Sequence, residues 1–307
     1  MSYRNSLKLL ISNFSTVWKQ LLYMLVISTL CFGLAYATLI PTINVLRAEG
    51  VLGEFSAIFE TIYTAPRDLI TACRDAFMHM SNVINANGAS LWASILFSIL
   101  FAYVLFNILK YVSFYNVSYV MQMKMTSFVE VGYTRSLISN FTDALRYAFS
   151  RFVYTLPFAI LKMLIIFTYL KFATSPLSII LGLFLSSMIL IMVYAIEISI
   201  FVGHAPTLLE KNGEISAFKA FLQGNKVVFK NYAKVISNSI VVALSIIVLN
   251  IFLGVFTIGA GLFITIPMSI VFKSIFELAS YLGSKGERYY VAENTIAVSK
   301  DHNISKD

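Results

Sequence analysis

Six apolar stretches, each long enough to cross a lipid bilayer as a helix, dominate this sequence. A hydrocarbon layer of about 30 Å needs roughly 20 helical residues, and every stretch reaches that length. Charged residues make up 12% of the 307 residues, whereas soluble domains carry about 25%. The sequence therefore predicts an all-α fold, a polytopic membrane helical bundle. The six predicted transmembrane helices are residues 21–43, 91–112, 152–172, 177–202, 235–257 and 262–282.

Lysine and arginine are distributed unevenly between the two sets of connections. The N-terminal segment has three of them, and the connections 110–151 and 204–234 have five each. The turns at 173–176 and 258–261 have none. Because cytoplasmic connections carry the excess of basic residues, we expect a multi-pass protein of a cytoplasmic membrane with its N- and C-termini in the cytoplasm.

Residues 47–90 form a long polar insert on the opposite side, with three arginines against five acidic residues. Apolar residues at helical spacing occur on both sides of Pro66, and proline disfavours helix in the residue before it. We expect an extracytoplasmic helical hairpin that covers the bundle, and a lid over a ligand is the alternative. Residues 1–291 are interpreted as a single transmembrane domain that includes this insert, and residues 292–307 as a mobile cytoplasmic tail.

Two segments combine basic and apolar residues at helical spacing. They are residues 4–19 and 214–234, and each directly precedes a predicted span. A further amphipathic helix is predicted over residues 136–151, before the third span. A basic amphipathic helix of this kind lies on an anionic leaflet. The formal charge of +8 is spread beside apolar stretches rather than over one face of a polar domain, which excludes a nucleic-acid-binding protein. The predicted partners are the lipid bilayer and anionic lipid headgroups. The lysines of the second segment are Lys219, Lys226, Lys230 and Lys234.

Six charged residues fall within the predicted spans, and two of them, Lys110 and Lys171, lie near span ends, where lysine can extend to the headgroups. Lys162 and Lys273 lie near the middle of the third and sixth spans, and Glu277 follows Lys273 by one helical turn. Glu197 lies nearer the cytoplasmic end of the fourth span. A charge at the bilayer centre costs about 2.5–3.5 kcal/mol on insertion scales, so these side chains should face the bundle and be paired. One hypothesis is a buried network that lines a polar cavity. The alternatives are a structural ion pair, or lysines that extend toward the headgroups.

No motif for catalysis, a cofactor or a metal is recognisable in the sequence. It has no Ser-His-Asp order, no HExxH, no P-loop and no CxxC. Cys31 and Cys73 are too few for a disulfide framework or a metal site. His204 follows Glu197 by seven residues, so the two could bind a metal together, and an interfacial histidine without metal is the simpler interpretation. We expect a protein that is not an enzyme and that needs no cofactor.

Residues 206–225 carry a resemblance to a known group of proteins. A proline at 206 is followed by an apolar pair, Glu210, Gly213 and Ala217, and then by the basic helix that leads into a span. This pattern resembles a group of bacterial multi-span membrane proteins that includes the membrane domain of some glycerophosphoryl diester phosphodiesterases. The resemblance covers about a third of the chain. It implies paired spans with amphipathic helices in a bacterial membrane, and it carries over no residue of the phosphodiesterase chemistry.

Two functional classes remain open from the sequence. The first is a non-enzymatic accessory or envelope-associated membrane factor, with a partner membrane protein or a second copy of the chain as its binding partner. The alternative is a transporter or channel for a small solute or lipid. A weak internal repeat bears on this choice, because Glu197 and Gly203 have the same six-residue spacing as Glu277 and Gly283. Repeats are common in transporters, and they also arise by duplication of a structural hairpin.

Overall fold

The computed structural model describes residues 2–65, 68–172, 176–292 and 295–297. The fold is an all-α helical bundle with one short β-hairpin near its C-terminal end. The first helices are α1 (Ser2–Ser12), α2 (Phe14–Ala48), α3 (Val51–Thr64), α4 (Leu69–Ala86), α5 (Ala89–Ser127) and α6 (Tyr133–Ser139). They are followed by α7 (Phe141–Phe172), α8 (Pro176–Phe201), α9 (His204–Glu210), α10 (Ala217–Phe229), α11 (Tyr232–Phe256) and α12 (Leu262–Lys285). The strands are β1 (Tyr289–Ala292) and β2 (Thr295–Ala297).

Within the described residues, six helical segments are long and apolar enough to cross a membrane. Their mean hydropathy over the most apolar window lies between 1.7 and 2.7. Each contains all or nearly all of one of the six predicted stretches, which confirms the prediction of a helical, multi-pass membrane protein at this coarse level. The segments are Phe14–Ala48, Ala89–Ser127, Phe141–Tyr169, Leu181–Glu210, Tyr232–Phe256 and Leu262–Lys285.

The chain divides into two compact units, Met1–Leu25 with Ile108–Asp307, and Val26–Asn107. In the second unit α3 and α4 pack against each other, with Phe55 and Phe77 in edge-to-face contact at 5.2 Å. The two helices correspond to the hairpin predicted for the polar insert, and Pro66 itself lies outside the described residues. The buried residues of this unit are Leu46, Val51, Val83, Ile84 and Leu91.

The first unit has its core where α1, α5, α8, α11 and α12 meet. Residues with no exposed surface include Met121 on α5, Ile198 on α8 and Ile275 on α12. Further along the same helices, large apolar side chains point outward, such as Phe184 at 61% and Phe252 at 55% exposure. A helix that is apolar on all sides belongs in a membrane or in a deep core. The exposed apolar surfaces therefore suit contact with lipid.

Three local features differ from the sequence prediction. The segment predicted as one helix over residues 4–19 is divided at Asn13, whose side chain donates to the carbonyl oxygen of Leu9 at 2.8 Å. The amphipathic helix predicted before the third span is continuous with it in α7, which also runs through Pro157. Residues 289–292 and 295–297 form an antiparallel hairpin that was not predicted. The rest of the predicted mobile tail, residues 293–294 and 298–307, lies outside the described residues.

Candidate functional site

A buried ion pair joins α7 to α12. The two terminal guanidinium nitrogens of Arg151 donate to the carboxylate of Glu277, at 3.0 and 2.7 Å. Each side chain is only 1% exposed. Two parallel hydrogen bonds between a guanidinium and a carboxylate fix both distance and orientation. The pair therefore fixes how α7 and α12 lie against each other.

Aromatic rings surround the Arg151 guanidinium. Its central carbon lies 4.2 Å from the ring centre of Phe114 and 4.6 Å from that of Phe201. Arg151 also donates a hydrogen bond to the hydroxyl of Tyr147, one turn earlier on α7. A cation is attracted to the faces of aromatic rings within about 6 Å. The enclosure thus stabilises the buried charge and connects α5 and α8 to the same point.

A second ionic group joins α7, α8 and α12 through Glu197. The ammonium group of Lys162 donates to one carboxylate oxygen of Glu197, and that of Lys273 lies 3.7 Å from the other. Both ammonium groups lie over the ring of Tyr194, at 5.3 and 5.2 Å. The three charged side chains are 29%, 6% and 11% exposed for Lys162, Glu197 and Lys273. One carboxylate on α8 therefore holds two cations from neighbouring helices.

The two ionic groups lie close enough to interact, and they form one cluster. Arg151 and Lys162 act electrostatically on Lys273, as do both carboxylates. Lys110 on α5 interacts with Lys273, Glu197, Arg151 and Lys162 and lies 4.6 Å from the ring centre of Tyr111. Among the described residues the ion-pair cluster, as we call it, contains four basic side chains and two carboxylates. Its members are Lys110, Arg151, Lys162, Glu197, Lys273 and Glu277.

Lys162 and Glu197 reach each other from different heights along their helices. Lys162 lies ten residues before α7 ends at Phe172, and Glu197 lies 21 residues after α8 begins at Pro176. At 1.5 Å per residue these are roughly 15 and 30 Å of helix. Side chains lean toward the N-terminus of their own helix, so on antiparallel neighbours these two lean toward each other. The Lys162 ammonium group therefore lies closer than its Cα to the end of the bundle that carries the basic connections 110–151 and 204–234.

The structure places the four predicted charged residues in two different pairings. Lys162, Lys273 and Glu197 come together, as the sequence hypothesis proposes. Glu277 is bonded instead by Arg151, which sequence reasoning assigned to an amphipathic surface helix. One signal for Arg151 was present: it lies at the seam between that helix and the third span, one turn after Tyr147. The repeat suggested that Glu197 and Glu277 are equivalent positions. Their partners differ, because Glu197 binds two lysines and Glu277 binds Arg151.

His204 is also buried beside Arg151. Its Nε2 lies 3.0 Å from the carbonyl oxygen of Ala217 and 3.0 Å from the hydroxyl of Ser150. The imidazole packs at 4.6 Å from the ring of Tyr147. In the described part of the chain no group of three or more His, Cys, Asp or Glu side chains is placed to hold a metal ion. His204 therefore connects α7 to the start of α10.

Helix α10 crosses the junction between α8 and α9 at a very short distance. A Cβ atom on Gly203 would lie 2.5 Å from the carbonyl carbon and oxygen of Gly224, and one on Gly224 would overlap Gly203 in the same way. The helix starts at Ser216, whose hydroxyl accepts a hydrogen bond from the backbone N–H of Lys219 at 3.3 Å. Tyr154 of α7 stacks on Phe221 at 4.1 Å. The buried residues of α10 are Ala217, Ala220, Phe221, Gly224 and Val228.

The exposed half of α10 is divided lengthwise into two stripes. At 100° per residue, Phe218, Leu222 and Phe229 fall on one side, and they are 41%, 57% and 71% exposed. Lys219, Lys226 and Lys230 fall about a quarter-turn away and are all exposed. Lys234, in the first turn of α11, is exposed as well. Together with the buried side, α10 has a protein-facing, an apolar and a basic face.

A polar network connects α2, α5 and α6 next to this region. The hydroxyl of Tyr133 donates to the side-chain oxygen of Gln20 at 2.7 Å, and the Gln20 amide nitrogen donates to Ser113 at 2.9 Å. Asn116 donates to the carbonyl oxygen of Tyr133 at 3.1 Å. Burial raises the pKa of the Tyr133 hydroxyl, because the phenolate form is poorly solvated there. Tyr133 is therefore a hydrogen-bond donor throughout the physiological pH range.

Comparison of the chain with protein-family models, with curated proteins and with solved structures finds no match. Its function therefore has to follow from its own residues.

Proposed function

We propose that this chain is a multi-pass protein of a bacterial cytoplasmic membrane, with both termini in the cytoplasm, and that it acts there as a non-enzymatic accessory or envelope-associated factor. The observation that carries the proposal is the ion-pair cluster. Its two carboxylates are each bound by cations from neighbouring helices, so these charges build the bundle instead of serving a reaction. The bacterial membrane is what the resemblance at residues 206–225 implies.

The orientation rests on the basic face of α10. Its exposed lysines lie next to an exposed apolar stripe, so the helix can rest at a lipid surface with its lysines among anionic headgroups. Lysine-rich surfaces of this kind face the cytoplasm. The exposed apolar surfaces of α7, α8 and α11 suit lipid, and they also suit a partner membrane helix or a second copy of this chain.

Cysteine labelling tests this orientation. The background variant is Cys31→Ala with Cys73→Ala, and the reporters are Lys219→Cys on α10 and Glu60→Cys on α3, both at exposed positions. A membrane-impermeant maleimide added to intact cells should label position 60 at once and position 219 only after permeabilisation. Labelling of position 219 from outside intact cells contradicts the orientation.

A second function has one observation in its favour. The ion-pair cluster holds more basic side chains than carboxylates, and Lys162 is partly exposed, which suits a transporter or channel for a small solute or lipid. Replacing Lys162, Lys273 and Glu197 together by leucine separates the two functions. An accessory factor should still correct the growth or envelope defect of a deletion strain. A transporter should lose that ability while the variant protein is still inserted in normal amounts.

A further inference from the structure

A cavity of about 670 Å³ lies between α7 and the segment that leads into α10. This volume falls in the range of about 300–1,000 Å³ that small-molecule sites occupy. The cavity shares no lining residue with the ion-pair cluster, and neither of the two functions considered so far uses it. Its lining is made of Ile108, Leu145, Arg146, Phe149 and residues 213–218.

The lining is chemically divided. Leu145 and Phe149 belong to an exposed apolar row on α7, at 42% and 55% exposure, and Ile108 and Phe218 extend this apolar part. Arg146 and Glu214 supply a positive and a negative group to the same cavity. Arg146 is only weakly engaged with Asp143, since the two charged groups are 3.5 Å apart and the Arg146 side chain is 64% exposed. A complementary ligand therefore has an apolar part and a headgroup with charges of both signs.

The walls of the cavity are held in place by an aromatic contact near the surface and by a buried hydrogen bond. Tyr154 packs edge-to-face on Phe218 at 5.5 Å, which fixes the α10 wall against α7. The bond between His204 and the carbonyl oxygen of Ala217, at 3.0 Å, fixes the segment just before it. A site held in this way needs little rearrangement when a ligand binds, which lowers the cost of binding.

We propose that this cavity binds one phospholipid whose headgroup carries both a phosphate and a primary ammonium group, as in phosphatidylethanolamine. The phosphate contacts Arg146, the ammonium group donates hydrogen bonds to Glu214, and an acyl chain lies along Ile108, Leu145 and Phe149. The position supports this occupant, because charged residues at the start of α7 give way there to an exposed apolar row. This site depends on the proposed membrane location, but not on orientation or on a partner.

The test uses the full chain, purified in a mild detergent and freed of lipid, and native mass spectrometry to count bound lipids. Dioleoyl phosphatidylethanolamine, phosphatidylcholine and phosphatidylglycerol are added separately. One ethanolamine lipid should bind roughly tenfold or more tightly than the choline lipid, since the choline headgroup has no N–H to donate. Glu214→Gln should abolish this preference, and Arg146→Gln should weaken binding of all three lipids.

Two further variants make the result decisive. Leu145→Trp fills the apolar part of the cavity and should reduce binding of every lipid. Arg74→Gln, at an exposed position on α4, should leave the ethanolamine preference unchanged. Equal binding of the three lipids, or an ethanolamine preference that survives Glu214→Gln, overturns the site. If labelling reverses the orientation while one ethanolamine lipid still binds, the proposed function fails and the site stands.

Discussion

Gly203 and Gly224 touch backbone to backbone, because a Cβ atom on Gly203 would lie 2.5 Å from the carbonyl group of Gly224. Real side-chain carbons do not approach a backbone so closely, so both positions need glycine for the distance between α10 and the α8–α9 junction. This contact sets where the basic face of α10 lies. It also joins residues 21 positions apart through no side chain at all.

Gly224→Ala should therefore destabilise the protein. The added methyl group pushes α10 away from Gly203, and overpacking of this kind costs about 1–3 kcal/mol or more. The measurement is the thermal unfolding midpoint of the detergent-purified protein. Gly283→Ala is the matched control, because a Cβ there meets nothing within 4 Å and alanine favours helix. Equal midpoints for the two variants contradict the close contact.

Glu277→Gln should be among the most damaging single substitutions. It leaves the Arg151 guanidinium buried without its counter-charge, and breaking a buried pair on one side costs about 3–5 kcal/mol. Replacing both residues by leucine should recover much of that loss, since the unpaired charge is gone. Glu210→Gln serves as control, because its pair with Lys285 is 25% and 29% exposed and should be worth about 1 kcal/mol or less. A double variant no more stable than Glu277→Gln alone argues against the pairing.

Glu197→Gln and Lys162→Met should have unequal effects on stability. When glutamine replaces Glu197, no carboxylate separates the ammonium groups of Lys162 and Lys273, and the two positive charges face each other over Tyr194. Without Lys162, the contact between Glu197 and Lys273 is kept. Glu197→Gln should therefore lower the unfolding midpoint well below that of Lys162→Met. The reverse order contradicts the shared carboxylate.

Replacing Lys219, Lys226 and Lys230 by glutamine should weaken the interaction with anionic lipid. Each lysine near an anionic surface contributes about 1 kcal/mol. We expect the wild-type protein to be more stable in nanodiscs of phosphatidylglycerol than in nanodiscs of phosphatidylcholine, and the triple variant to lose most of that difference. Arg74→Gln, at an exposed position on α4, should keep it. A triple variant with an unchanged difference contradicts the proposed surface.

The six spans were predictable because an apolar stretch of helical length has few alternatives in water or lipid. The hairpin helices α3 and α4 were predictable because their apolar residues recur at helical spacing. The ion-pair partners were not predictable from the sequence. Lys273 and Glu277 share one face of α12, and only the packing of α7 decides that Glu277 meets Arg151. The Gly203–Gly224 contact leaves no apolar pattern at all. The β-hairpin had a signal in Tyr289, Tyr290 and Val291, which favour strands.

The Arg151–Glu277 pair also has a consequence for biogenesis. A ribosome makes the third span long before the sixth, since the two partners are 126 positions apart. During that interval Arg151 has no carboxylate partner, and Phe201, one of the rings beside it, is still to be made. Synthesis of the last span supplies the counter-charge. A chain that stops short of that span keeps the guanidinium group without Glu277.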